Sequence, residues 1–351
     1  MSEIRRGNLH NKPKKRKKRI VRWIMFPLIL ILVSAVAYGA HLYSQAEMVM
    51  NESYQPVERD SKRVSVNPFE ENISVLFIGV DDSSKRQFEG NSRTDALMLA
   101  TFNKDNKSVK LLSIPRDSYV YIPDMGYSDK INHAHAYGGV PYTLQTVENL
   151  LDIPVDYYVK MNFDAFIDVI DALNGIEVNV PYTFSEQDSN DKAGAIRLNE
   201  GLQTLNGEEA LALARTRKLD SDIERGKRQQ EIIKAIIKRA ASAKSVSNYT
   251  EVIEAIGNNM KTDIRFEQIT SFVDYAMAGL NLDVETLNLV GSDSKMDGIY
   301  YYQLDELALA ETRTTLQKHL GLIPETGLAT ETETSTEVNT QVPDDTAAPS
   351  Y

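Results

Sequence analysis

Beyond residue 72 the apolar positions fall into two patterns that take turns along the chain. Short runs with few polar interruptions read as strands, at residues 73–80 (ISVLFIGV), 95–103, 108–115, 155–162, 176–180 and 285–291. Between and after them, apolar residues recur three or four positions apart and predict helices at 141–151, 163–173, 207–215, 223–241, 247–259 and 266–280. Alternation of this kind predicts an α/β fold: a single α/β/α layered domain built on a central mixed sheet.

The chain before this body has a different pattern. Residues 23–43, WIMFPLILILVSAVAYGAHLY, hold no Asp, Glu, Lys or Arg over twenty-one positions, the length a helix needs to cross a hydrocarbon core. Ten Lys and Arg against Glu3 give residues 1–22 a net charge of +9, so the rest of the chain carries −20 of the overall −11. By the positive-inside tendency the basic tail stays cytoplasmic and the domain lies outside, which predicts a single-pass, type II signal anchor in the cell membrane. Ala35-Val36-Ala37 resembles a cleavage site, but the apolar stretch is long for a secretion signal. A basic arm that binds nucleic acid is the competing reading of residues 1–22; abutting an apolar span, they fit membrane orientation and lipid contact better, and no nucleic-acid partner is expected.

Residues 44–70 are polar and aperiodic and read as an extracellular stalk, 71–322 as the folded outer domain, and 323–351, rich in Thr, Glu, Pro and Asp, as a disordered tail. With no cysteine, the outer domain relies on packing alone, in keeping with the outer face of a Gram-positive-like bacterium.

Three stretches carry candidate chemistry. The strand at 73–80 runs apolar up to Asp81 and Asp82, at the carboxyl edge where open α/β sheets bind ligands; two turn caps are the equal alternative. KDNK, residues 104–107, is a turn signal, and a hairpin centred on Asp105 and Asn106 sets Asp95 opposite Arg116, with Arg93 close by. An ordinary surface ion pair would account for Asp95 and Arg116 by themselves.

The third stretch, ARTRKLDSDIERGKRQQEII (214–233), separates when phased as a helix. With Arg225 at zero, Arg228 falls at about 300° and Gln229 at about 40°, beside Ile232 and Ile236, whereas Lys227, Lys234 and Lys238 fall at about 200°. The lysines take solvent and Arg225 and Arg228 point inward, where a guanidinium is costly unless something negative meets it. Asp220, Asp222 and Glu224 supply part of that charge, and phosphate, gripped through two oxygens by each guanidinium, suits better. Arg215 and Arg217, at the end of the preceding helix, aim at the same place.

Six arginines, Arg93, Arg116, Arg215, Arg217, Arg225 and Arg228, with Asp81, Asp95 and Asp222, thus read as a pyrophosphate site in which carboxylates serve a hard cation, Mg²⁺ first. Zinc ligation, a G-x-S-x-G elbow, a Walker A loop and a Rossmann glycine pattern are not supported; His133 and His135 read as loop or wall residues. Asp222 stands equally as the base that deprotonates an acceptor or as a helix N-cap.

Taken in order, FIGVDD, SRTDALMLATFN, LLSIPRDSYVYIP, DKINHAHAYGG, LNGEEALALARTR and DSDIERGKRQQ resemble the LytR-CpsA-Psr family of membrane-anchored cell-envelope phosphotransferases, over the tail, the span and residues 73–321. The resemblance implies an α/β/α domain that holds a polyprenyl pyrophosphate, its lipid in an apolar groove and its head group on arginines with Mg²⁺. It further implies transfer of an anionic glycopolymer, such as wall teichoic acid or capsular polysaccharide, from undecaprenyl pyrophosphate to a peptidoglycan hydroxyl. Asp81 and Asp95 match the metal-site acids; Arg93, Arg116, Arg215, Arg217, Arg225, Arg228 and Gln229 match the phosphate-binding positions. Lys85 and Arg86, in the stretch between Val80 and Arg93, have no assigned role. An envelope sensor or attenuator and a polyprenyl-pyrophosphate hydrolase are the alternative functions.

Overall fold

The computed structural model describes residues 37–324 apart from 46, 50, 58–65, 69, 81–92, 218–220, 241–258 and 269–281. Its strands, in chain order, are β1 (Ile73–Val80), β2 (Thr94–Asn103), β3 (Ser108–Ile114), β4 (Tyr119–Ile122), β5 (Tyr127–Lys130), β6 (Tyr157–Met161), β7 (Ile176–Val180), β8 (Phe184–Glu186), β9 (Ile196–Leu198), β10 (Gly201–Leu205), β11 (Met260–Thr262), β12 (Asp283–Asn288), β13 (Gly291–Met296) and β14 (Ile299–Leu304). The helices used below are α1 (Ile131–Leu151), α2 (Phe163–Ala172), α3 (Gly207–Arg215), α4 (Asp222–Ala240) and α5 (Glu306–His319).

Six strands form the central sheet in the order β11-β6-β1-β2-β3-β12. β1 runs antiparallel to β2 and parallel to β6, and β12 runs parallel to β3, so the sheet is mixed as expected. Side chains of one strand alternate between two faces. Leu76, Ile78 and Val80 of β1 meet Leu144, Val147 and Leu151 of α1 and Leu316 of α5 in one core cluster. On the other face Met98, Ala100, Val109 and Leu111 lie with Phe77 and with Ile233 of α4. α2, α3 and α4 share a further cluster through Ile170, Leu213 and Ile232. Burial on both faces explains the nearly continuous apolar runs of the inner strands.

Local signals account for the helix boundaries near the site. Asn162 accepts a hydrogen bond from Ala165 N and starts α2. Asn206 and Glu209 close a capping box at the start of α3. At α4, Ser221 is the cap, its Oγ accepting from Glu224 N at 3.4 Å, which leaves the Asp222 carboxylate to other partners.

Several elements differ from the pattern. α1 begins ten residues before the expected position and runs through a kink, where Gly139 takes φ 63° and ψ −148° ahead of Pro141. His133 and His135 therefore stand on a helix, in place of the expected loop. Proline, which lacks a donor, and glycine mask a helix that tolerates them by bending. The hairpins β4–β5 and β13–β14 and the helix α5 were not anticipated. α5 buries only Leu309, Leu316 and His319, too sparse a stripe to read as periodic, although Asp305 caps it through Ala308 N. The helix expected at 247–259 and most of that at 266–280 lie outside the described residues. Among the described residues no helix is long and apolar enough to cross a membrane. Residues 1–36, which include most of the expected span, lie outside the described set, and residues 37–43 are helical.

Candidate functional site

The β2–β3 hairpin has the expected register, from Asn103 opposite Ser108 to Leu97 opposite Ile114. Just beyond the paired residues, Arg116 Nη1 meets Asp95 Oδ1 at 2.5 Å. On its other side Arg116 Nε faces Asp117 Oδ2 at 3.5 Å, and Lys130 Nζ holds Asp117 Oδ1 at 2.8 Å.

α4 brings the second part of the cluster. The helix lies so close to β3 that a Cβ added at Gly226 would stand 2.5 Å from Ser113 Oγ and 3.2 Å from Ser113 Cβ. This approach sets the neighbouring Arg225 at the sheet edge, 5% exposed, where its Nη2 donates to the Asp95 carbonyl at 3.2 Å. Asp222 grips the same guanidinium at 2.9 and 3.1 Å, and Arg217 Nη1 lies 4.0 Å from Asp222. Burial lowers the Arg225 pKa to about 10; Asp222 works against that shift, and the charges of Arg116 and Arg217 add to it. The guanidinium remains charged at neutral pH, and three cations share one corner.

Arg228 shares the inward face but has a different destination. Its Nε donates to Leu213 O at 3.1 Å and its Nη2 to Thr216 O, while its guanidinium lies 5.9 Å from the Tyr182 ring centre. Gln229 Nε2 donates to Ala214 O at 3.2 Å. The last carbonyls of α3, which have no partner within their own helix, are thus satisfied from α4. The negative end of a helix stabilises the buried Arg228. Arg93 is exposed at the start of β2. Asp81, with Lys85 and Arg86, lies outside the described residues.

Between the sheet and α2 and α4 lies a cavity of about 830 Å³. Asp95, Arg116, Arg215, Arg217, Arg225 and Gln229 line one part of it, and neither Arg93 nor Arg228 does. The rest is apolar, with Met98, Ala100 and Leu111 from the sheet, Phe166 and Val169 from α2 and Ile237 from α4. Arg215 lies 4.8 Å from the Phe163 ring centre, where guanidinium and apolar wall meet. Thr94 Oγ1 and Arg225 Nε are buried without a hydrogen bond among the described residues, as in a corner shaped for a polar guest.

Sequence reasoning did not find Asp117 or Lys130. Both stand inside quoted motifs, but only the β4–β5 pairing, with Tyr119 opposite Lys130, carries Lys130 back to Arg116.

A mixed α/β domain with a cavity that is apolar along its body and lined by guanidinium groups at one part defines a binder of amphiphilic oxyanions. The chain belongs to the LytR_cpsA_psr family, whose model matches residues 40–318. It is 37% identical over 318 residues to the polyisoprenyl-teichoic acid–peptidoglycan teichoic acid transferase TagT of Bacillus subtilis, an alignment covering 88% of this chain and 98% of that protein. A solved structure of TagT bound to LIIa-WTA matches with a TM-score of 0.63 at 41% identity, over 75% of this chain and 97% of the other. The TagT structure with bound octaprenyl pyrophosphate lipid matches with a TM-score of 0.60 at 39% identity, over 77% and 99%.

Proposed function

We propose that the protein is a membrane-anchored, Mg²⁺-dependent phosphotransferase. It moves an anionic glycopolymer from a polyprenyl pyrophosphate carrier to a hydroxyl of peptidoglycan during cell-wall biogenesis. The observation that carries this reading is the single cavity that joins an apolar body to Arg116, Arg215, Arg217 and Arg225. The names of its relatives, teichoic acid transferases, and a relative's bound prenyl pyrophosphate support it. Residues 23–43 serve as the anchor, with the folded domain on the outer face of the membrane.

In the reaction, the acceptor hydroxyl oxygen forms a bond to the phosphorus that carries the glycopolymer. The bond from that phosphorus to the bridging oxygen breaks, its electron pair leaves with the lipid phosphate, and the hydroxyl proton is released. Positioning and charge neutralisation are what a protein contributes to such a transfer. Arg116 and Arg225 neutralise the pyrophosphate, and Arg215 and Arg217 complete the guanidinium lining. Asp222, with both oxygens on Arg225, is a positioning residue. Gln229 positions the end of α3.

Among the described residues no three acidic, His or Cys side chains gather as a metal cage. Mg²⁺ needs none: it keeps waters and takes one or two carboxylates plus substrate phosphate oxygens. Asp95, one oxygen of which is held by Arg116, fits that donor set, and Asp81 is its expected companion. Bound there, Mg²⁺ would supply further charge neutralisation.

The test is transfer from a lipid-linked glycopolymer to peptidoglycan by the full chain in detergent. Product should form with Mg²⁺, stop with EDTA and return when Mg²⁺ is restored. Arg116→Ala should abolish it. Release of free glycopolymer phosphate without any linked product would replace transfer by hydrolysis, and full activity of Arg116→Ala would remove the site.

A further inference from the structure

On the side of Arg116 that faces Asp117, the β4–β5 and β13–β14 hairpins build a surface to which nothing above assigns a role. Tyr119 of β4 and Tyr301 of β14 meet edge to face at 5.1 Å between ring centres. Lys130 Nζ lies 5.5 Å from the Tyr301 ring centre and 5.8 Å from that of Tyr300 while it holds Asp117. His133, on the first turn of α1, binds Asp129 Oδ2 through Nδ1 at 2.7 Å and stands edge to face with Tyr137, a residue that is 55% exposed. Tyr300 donates to Asp293 at 2.8 Å. Burial raises its pKa first, followed by that bond and the charges of Asp293, Asp117 and Asp222.

We infer that this surface binds the sugar rings of the acceptor glycan. The inference rests on the transferase reading and extends it to the second substrate. Three observations carry it. Aromatic rings interleaved with fixed carboxylate, ammonium and imidazole groups suit pyranose rings, whose C–H faces lie on aromatic rings and whose hydroxyls take directed hydrogen bonds. The surface is continuous with the phosphate corner through Arg116, Asp117 and Lys130, yet lies off the apolar cavity that would take the lipid.

Charge separates the acceptor from the other available glycan, the donor's own polymer. Residues 117–133 and 290–303 contain five aspartates, Asp117, Asp124, Asp129, Asp293 and Asp297, against two lysines, Lys130 and Lys295. A net negative surface repels a polymer of phosphodiesters and accepts the neutral hydroxyls of an amino-sugar chain.

The experiment titrates the full chain in detergent with uncrosslinked, peptide-free glycan strands of peptidoglycan and, separately, with poly(glycerol phosphate). Binding is read by ligand-observed saturation transfer, for the wild type, Tyr137→Ala and Tyr301→Ala. Octaprenyl pyrophosphate binding and the melting temperature are measured alongside. Glycan affinity should fall at least tenfold in Tyr301→Ala and several-fold in Tyr137→Ala, with prenyl pyrophosphate affinity within twofold of wild type. Tyr137 is exposed, so its loss should leave melting unchanged and keeps the test readable if Tyr301→Ala folds poorly. Unchanged glycan affinity in Tyr137→Ala together with unchanged affinity in a folded Tyr301→Ala or, failing that, in Lys130→Met overturns the inference. So does loss of poly(glycerol phosphate) binding with glycan binding retained, which would assign the surface to the donor. A wild type that binds glycan here but no prenyl pyrophosphate would instead sink the transferase reading.

Discussion

Arg225 and Arg228 stand three residues apart on the same inward face of α4 and serve different ends. Arg225 joins Arg116 and Arg217 around Asp95 and Asp222, where positive charge exceeds what the carboxylates balance. Arg228 is satisfied by the α3 carbonyls and adds nothing to the cavity wall. Opposite consequences are expected on substitution. Arg228→Met leaves buried carbonyls without donors and should lower unfolding free energy by about 2–4 kcal/mol, while the folded enzyme turns over normally. Arg225→Lys keeps the charge but loses the planar fork; kcat/KM should fall at least about tenfold with little change in melting temperature. Chemical denaturation read beside the transfer assay checks both, and equal loss of turnover in the two variants would contradict this division. Inward phasing of both arginines was legible in the sequence. Their different partners were not, because the carbonyls that hold Arg228 belong to another helix and carry no residue-type signature.

At the scale of elements, the site depends on how α4 and the β2–β3 hairpin meet. Gly226 allows that contact. In an exposed helix Gly→Ala would stabilise by about 1 kcal/mol. Here the added methyl meets Ser113, whose Oγ can rotate away but whose Cβ at 3.2 Å cannot, so Gly226→Ala should cost about 1 kcal/mol net and weaken activity by displacing Arg225. A stabilised variant would reverse the sign and refute the contact argument. α5 is tied to the same hairpin by His319, which is buried between Thr101 Oγ1 at 2.8 Å and Ser108 Oγ at 2.9 Å. Burial, with Lys110 adding, lowers its pKa to about 4, and Glu285 and Asp283 oppose the shift. The unfolded chain binds this proton at higher pH than the folded chain. The stability from neutral His319 is therefore complete above pH about 6.5 and is lost as pH falls from there towards about 4. Denaturation of wild type and His319→Gln across that interval should show a steeper decline for the wild type; parallel curves would exclude the linkage. The strands of the hairpin were legible because two buried faces demand continuous apolar residues. α5 was not, because three buried residues in fourteen make no visible period.

For the whole molecule, the decisive feature is one cavity with two chemistries. If its apolar body holds the carrier lipid, a bulky ring placed away from the arginines should act on the lipid alone. Ile237→Trp should weaken octaprenyl pyrophosphate binding at least about tenfold and leave inorganic pyrophosphate within about twofold, as expected of lost apolar contact. Equal loss of both ligands would mean that the cavity is not divided in this way. The sequence by itself determined the mixed α/β class, the hairpin register that pairs Asp95 with Arg116, and the face of α4 that turns inward, since each follows from short-range periodicity and turn chemistry. It also carried the ordered motifs by which the family was recognised. Tertiary structure alone decided that Arg228 fastens α3, that Lys130 returns to Arg116 through Asp117, and that tyrosines from β4, α1 and β14 face one surface. Those contacts join residues up to about 180 positions apart, where packing and hydrogen-bond satisfaction choose partners that no local pattern records.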